Sequence, residues 1–193
     1  MAEAACTQDT IRNNFIHKIN EKGIRLRIRL DDGQMWAYVD PRTWGKWHLR
    51  SGTKPRDDSY FKTYGPDWIT DRSQAMQALL GHKSRRRAKD VLTDQKVTAG
   101  LGNYLACETL WHAMIHPHCR WDQVKLDQRA RLNVCIEDMI DHSLRRSDHG
   151  HWAVFQKKTC PSCGSTIKYV KDSGGKRGSY FCPSCQGGFD DTE

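Results

Sequence analysis

Asp94-Gln95-Lys96-Val97-Thr98-Ala99-Gly100-Leu101-Gly102-Asn103-Tyr104-Leu105-Ala106-Cys107-Glu108-Thr109-Leu110 sets two glycines just before an asparagine, followed by apolar residues at helical spacing. A turn that tight, delivered straight into a helix, leaves the first backbone N–H groups of the helix unpaired and aims its dipole outward, an arrangement that attracts phosphate. Standing alone, the same pattern also fits an ordinary connection between helices, so its meaning depends on what flanks it.

Outward from this turn the helical pattern runs from Ser73 to about Ser147, broken at Gly81-His82-Lys83-Ser84, at the glycine turn itself and at His116-Pro117. Upstream, Ile24-Arg25-Leu26-Arg27-Ile28-Arg29-Leu30 alternates strictly, Asp31-Asp32-Gly33 reads as a turn, and Gln34 to Val39 reads as a second strand. Asp40-Pro41 closes that hairpin, and the stretch to Pro66 has loop composition. Residues 1–22 are polar with a weak helical stripe, Ile11, Phe15 and Ile19. Downstream, Cys160-Pro-Ser-Cys163 and Cys182-Pro-Ser-Cys185 are two CxxC knuckles separated by eighteen residues. At that spacing a short hairpin can gather four thiolates into a tetrahedron around one structural zinc. Two disulfides or paired redox motifs would not require both knuckles to carry the same Pro-Ser filling. Cys6, Cys107, Cys119 and Cys135 lack such spacing and read as small packing residues.

The 193 residues leave room for one medium domain and a small appendage, or two small domains. A hydrophobic fraction of 37% with seven Trp describes a folded chain, and 31 Lys or Arg against 23 Asp or Glu gives a net charge of +8. No stretch approaches the roughly 20 apolar residues that span a bilayer, and the first residues lack the apolar core of an export signal. The expectation is a soluble, cytoplasmic chain that stays with its partner and not with a membrane. The charge is concentrated: six Lys or Arg against two Asp between His82 and Lys96, and six against one Asp between Lys157 and Arg177. A basic run is usually a solvated face, but two of them flanking a phosphate-type turn and a cysteine finger point to a nucleic-acid backbone.

The stretch from Asp94 through His116-Pro117 resembles the helix-two-turns-helix motif of the formamidopyrimidine-DNA glycosylase and endonuclease VIII family. Cys160-Pro-Ser-Cys-Gly-Ser-Thr-Ile167 and Arg177-Gly-Ser-Tyr-Phe-Cys-Pro-Ser-Cys-Gln186 look like that family's terminal zinc finger, in the family's order. Leu30-Asp-Asp-Gly33 with Tyr38-Val-Asp-Pro-Arg-Thr-Trp-Gly-Lys-Trp47 is similar to its late strands and Asp-Pro-Arg-Arg-Phe-Gly loop, so the likeness covers about residues 24–189. The resemblance implies an α+β fold: a partial β-sandwich hairpin in residues 1–66, a helix-two-turns-helix domain in 67–150 and a zinc-finger β-hairpin in 151–193.

It also implies roles. Arg42 and Trp44 would fill the gap left by a flipped base, with Thr43 departing from the usual second Arg. An aromatic wedge makes independent physical sense, since extruding a base costs stacking energy that an inserted ring partly replaces. Lys96 and Asn103 would hold phosphate or the lesion strand, and Arg177 would sit at the finger tip against the backbone. The implied partner is double-stranded DNA with a modified or damaged base, bound by a monomer. Family members begin Met-Pro-Glu and use the Pro amine as a Schiff-base nucleophile, whereas this sequence reads Met1-Ala2-Glu3-Ala4 and much of the usual front sandwich has no counterpart. The corresponding expectation is a monofunctional glycosylase that hydrolyses the N-glycosidic bond without lyase activity, on bulky modified bases of foreign DNA.

Glu108 and Asp94 are the candidate catalytic carboxylates. Their alternative roles are structural, with Asp94 capping a helix and Glu108 anchoring the glycine turn by accepting backbone N–H bonds. His112, His116, His118, His142 and His149 read as packing and surface residues. An inert damage-recognising binder is the competing reading, while intact zinc ligands, glycine turn and wedge argue against a decayed fragment.

Overall fold

A computed structural model describes residues 23–43, 45–46, 61–145, 152–172 and 177–187. The chain divides into two compact units, Met1–Thr53 and Lys54–Glu193. In the first, β1 (Ile24–Arg29) pairs antiparallel with β2 (Met35–Val39), with Leu26 opposite Tyr38 and Ile28 opposite Trp36. Alternation therefore puts Leu26 and Ile28 with Trp36 and Tyr38 on one face, and Arg27 and Arg29 with Ala37 and Met35 on the other. The three-residue turn closes through Gly33 N–H to the Leu30 carbonyl (3.0 Å) and Leu30 N–H to the Gln34 carbonyl (2.9 Å). Gly33 takes φ +81°, the left-handed conformation this hairpin turn demands.

The second unit holds α1 (Arg72–Gly81), α2 (Ala88–Leu92), α3 (Asn103–His112) and α4 (Leu126–Arg145), then β3 (Lys168–Val170) and β4 (Ser179–Phe181). α3 runs through the middle: Leu105 to Leu110 are all buried, so it has core on every side. α4 is two-faced by contrast, burying Leu132, Ile136 and Ile140 at four-residue spacing. Trp68, Leu79, Leu92, Leu101 and Trp121 complete the core. Arg72 reaches from α1 to Asp141 of α4 at 2.7 Å. Arg129 ties off the loop ends between helices by donating to the carbonyls of Leu80, His82, Trp121 and Val124. Among the described residues no helix is long and apolar enough to cross a membrane.

The α+β class and the two hairpins follow the sequence reading. The helical stretch is more interrupted than the periodicity predicts, because residues 93–102 and 113–120 form turns. Side chains take over the backbone there: Asp94 accepts the Lys96 N–H (3.0 Å), and Gln95 accepts the Gly100 N–H (3.0 Å) while donating to the Leu101 carbonyl (2.8 Å).

The finger packs on α3 through a second cluster of Cys107, Val154, Cys160, Ile167 and Cys182. Gln186 pins its far end, donating to the Ile115 carbonyl (2.8 Å) and accepting from the Cys182 N–H (2.9 Å).

Candidate nucleic-acid interface

Gly102 caps α3 in an extended conformation (φ −93°, ψ 176°), and Gly100 just before it sits at φ +102°. The chain thereby turns sharply into the helix, and the first N–H groups of α3 point out of its end. That end opens onto a cleft of about 560 Å³, lined by Asn103 and Gly102 from α3, by Arg86, Lys89 and Asp94 from the α2 region, and by Asp172 and Arg177 from the finger. The Asn103 side chain donates to the Gly178 carbonyl (3.2 Å), while its amide oxygen is buried without a hydrogen-bond partner. Asn103 and Arg177, read from opposite ends of the helical and finger motifs, thus line one cleft.

Lys96 is exposed on the same turn but is not among the residues lining the cleft. The cation beside Arg177 is instead Lys89, only 3% exposed, whose ammonium donates to the Arg177 carbonyl and lies 2.6 Å from Asp172. Lys89 and Asp172 escaped the sequence reading; the available signal was that Asp172 is the single acid in the basic run from Lys157 to Arg177. Arg42 is exposed in the first unit, on the turn after β2, and Trp44 lies outside the described residues.

Both candidate carboxylates are engaged. Glu108, 1% exposed, accepts the backbone N–H groups of Ala153 (2.8 Å), Val154 (2.9 Å) and Phe155 (2.7 Å), so it fastens the segment entering the finger to α3. Asp94 lines the cleft but pairs with Arg86 at 2.7 Å as well as capping the 94–96 turn. Partial burial pushes the Asp94 pKa up, and the Lys96 N–H and Arg86 guanidinium outweigh it, holding the carboxyl below its ordinary value. Glu108 accepts backbone N–H bonds as its structural alternative has it, but at the finger entry and not at the glycine turn, and Asp94 caps the 94–96 turn and not a helix. Of the histidines, His116 stacks edge-on against Phe181 and His118 reaches Ser179 (3.2 Å). His149 lies outside the described residues.

The sulfur atoms of Cys160, Cys163, Cys182 and Cys185 all lie within 4.8 Å of one another, with 3.8 Å from Cys160 to Cys185 and 3.4 Å from Cys163 to Cys182. A tetrahedron with metal–sulfur bonds of about 2.3 Å has edges of about 3.8 Å, so the four thiols fit one ion. Hydrogen bonding from Ser165 pulls the Cys163 thiol down to about 6, while the neighbouring thiols, Cys163 first, push Cys185 up to about 12. Four thiols so close cannot all ionise without a cation among them. Cys107 is buried against Cys160 and Cys182, and Cys119 and Cys135 are half-buried; none of the three belongs to the four-sulfur group.

Residues 65–153 match the family model described as the formamidopyrimidine-DNA glycosylase H2TH domain. The chain is 29% identical over 187 residues to a formamidopyrimidine-DNA glycosylase of Roseiflexus, covering 86% of this chain and 66% of that one. It is 32% identical over 184 residues to the enzyme of Chloroflexus aggregans, covering 84% of this chain and 65% of that one. It therefore spans slightly less than two thirds of the length of these relatives. Among solved structures, it is similar to the Lactococcus lactis formamidopyrimidine-DNA glycosylase bound non-covalently to DNA containing an abasic site. That match has a TM-score of 0.73 at 30% identity and covers 90% of this chain and 68% of that one. The same enzyme in complex with DNA containing N7-benzyl-Fapy-dG matches with a TM-score of 0.72 at 29% identity, over 90% of this chain and 69% of that one.

Proposed function

The chain belongs to the formamidopyrimidine-DNA glycosylase family, and on that premise we propose that it grips double-stranded DNA carrying a damaged or modified base. The observation that carries this reading is the cleft where the α3 N-terminus, Asn103 and Arg177 converge. Helix-end N–H groups, an amide and a guanidinium together suit a phosphate of the DNA backbone. Lys96, exposed beside the cleft, adds a longer-range phosphate contact, and Arg42 with Trp44 serves base extrusion. Zinc in the four-cysteine site holds the finger, and so Arg177, in place. The grip is tested by Arg177→Ala. Affinity should fall similarly on all duplex sequences, with the salt dependence flattened by about one unit of slope; an unchanged slope removes Arg177 from the backbone contact.

The finer reading is that the protein releases the base by hydrolysis, with water as the nucleophile, and does not nick the strand. Incubation with duplexes carrying small oxidised purines or bulky modified pyrimidines should yield abasic sites, preferentially from the bulky bases. Borohydride should trap no protein–DNA adduct. A specific observation favours the second reading, an inert recogniser of damaged DNA: Glu108 and Asp94 are both committed to hydrogen bonds that hold the fold. Tight binding without abasic sites on any duplex decides for that second reading.

A further inference from the structure

Asp172 lies two residues past the end of the finger strand β3 and is 5% exposed, yet it faces a concentration of positive charge. One carboxylate oxygen accepts from the Lys89 ammonium at 2.6 Å. The other lies 3.2 Å from Arg87 Nη1 and 3.3 Å from His118 Nε2, and Ser179 Oγ donates to the carboxylate at 3.1 Å. Lys89 is itself buried, and its ammonium donates a second time, to the backbone carbonyl of Arg177. The next carbonyl, that of Gly178, accepts from Asn103 at 3.2 Å. The two peptide units that follow the Arg177 side chain are thus held, the first from α2 and the second from α3. The α2 hold exists only while a buried ammonium stays charged and aimed, which in a dry site requires an adjacent carboxylate.

We propose that Asp172 is a positioning residue for DNA binding: by fixing Lys89 it fixes the backbone of Arg177 and aims that guanidinium into the cleft. The inference rests on the reading of the cleft as a phosphate site. Burial alone would raise the Asp172 pKa; Lys89, Ser179 and His118 outweigh it and hold the carboxyl below its ordinary value, so the residue is anionic wherever the protein binds DNA. A buried ion pair between finger and helices could equally do no more than hold the fold together, and then its loss would lower stability while leaving Arg177's contribution intact.

The experiment is a double-mutant cycle on the full chain, reading duplex affinity against salt concentration for Arg177→Ala, Asp172→Asn and the two combined, with metal content measured for each. Asp172→Asn should weaken binding about tenfold and lower the salt slope by about one unit at unchanged metal content, and Arg177→Ala on top of it should add nothing further. Lys89→Met with Asp172→Leu guards against misfolding: it replaces the ion pair by apolar groups that suit a buried site, and it should show the same loss of slope. The proposal is overturned if Asp172→Asn and the apolar pair both bind with the parental slope and Arg177→Ala keeps its full effect in them. If Arg177→Ala in the parent chain changes nothing, the phosphate reading of the cleft falls first and the proposal with it, an outcome distinct from the failure of Asp172 alone.

Discussion

Glu108 shows how the same residue type serves chemistry or architecture according to what surrounds it. Its carboxylate accepts three consecutive backbone N–H groups, of Ala153, Val154 and Phe155. Glu108→Gln would turn an NH₂ group toward donors, leaving N–H groups buried without acceptors, and should destabilise the second unit by about 3 kcal/mol. Urea unfolding measures this; a variant as stable as the parent that binds DNA and releases no base would restore Glu108 to the chemistry. The sequence made the glutamate visible but not its partners, because residues 153–155 lie far along the chain and carry no motif of their own. Asp172 was hidden for the same reason, its value depending on Arg87 and Lys89 at the start of α2, His118 in the turn after α3 and Ser179 on β4. Asp172 and Asp94 both have folded-state pKa values below the ordinary aspartate value. The stabilisation they give is therefore present above the unfolded pKa of about 4 and is lost as pH falls through the folded values. Urea midpoints should stay level from neutral pH to about 5 and drop below about 4. In Asp172→Asn the midpoint should be lower at neutral pH and the acid drop shallower; an unaltered acid drop would show that the carboxylate titrates alike folded and unfolded.

Among elements, the finger and the glycine turn were the most legible, because each is written in residue types that backbone geometry or metal chemistry demands. Paired CxxC knuckles announce a four-sulfur cluster, and Gly100 at φ +102° occupies a conformation that a side chain strains. The boundaries of the helices were less legible: the turns at 93–102 are held by Asp94 and Gln95 side chains, a tertiary choice that periodicity does not record. Gly65 belongs to this class. A Cβ there would meet the Val97 carbonyl oxygen at 2.4 Å and the Lys96 carbonyl oxygen at 2.8 Å, backbone atoms that cannot swing aside. Gly65→Ala should therefore push the 94–100 turn away from its neighbour, costing about 2 kcal/mol or more and weakening DNA binding with it. Full stability in that variant would mean the two segments do not touch. Metal removal acts on the other element. A chelator should release the finger, whose own core is little more than Val154, Ile167 and the cysteines, and lower duplex affinity while the helical circular dichroism of α1 to α4 persists.

At the scale of the whole molecule, the two units differ in how much apolar surface they bury. The Lys54–Glu193 unit encloses Trp68, Leu79, Leu110, Trp121, Leu132 and Ile136 completely. In the hairpin of the other unit, Trp36 is 62% exposed, Met35 50% and Ile28 41%. The alternation that made β1 easy to read from the sequence specifies which face is apolar, but it says nothing of what covers that face. Two strands without a covered face form at best a marginal structure in water, since few contacts offset the ordering of the chain. Local opening should then dominate amide exchange in the hairpin, whereas α3 amides should exchange only through opening of the whole core. Hydrogen exchange followed by mass spectrometry should find peptides spanning residues 24–39 exchanging at least about a hundredfold faster than peptides spanning 103–112. Equal protection of the two would show that the apolar face of Leu26, Ile28, Trp36 and Tyr38 is covered in solution, and would direct the search to the polypeptide that covers it.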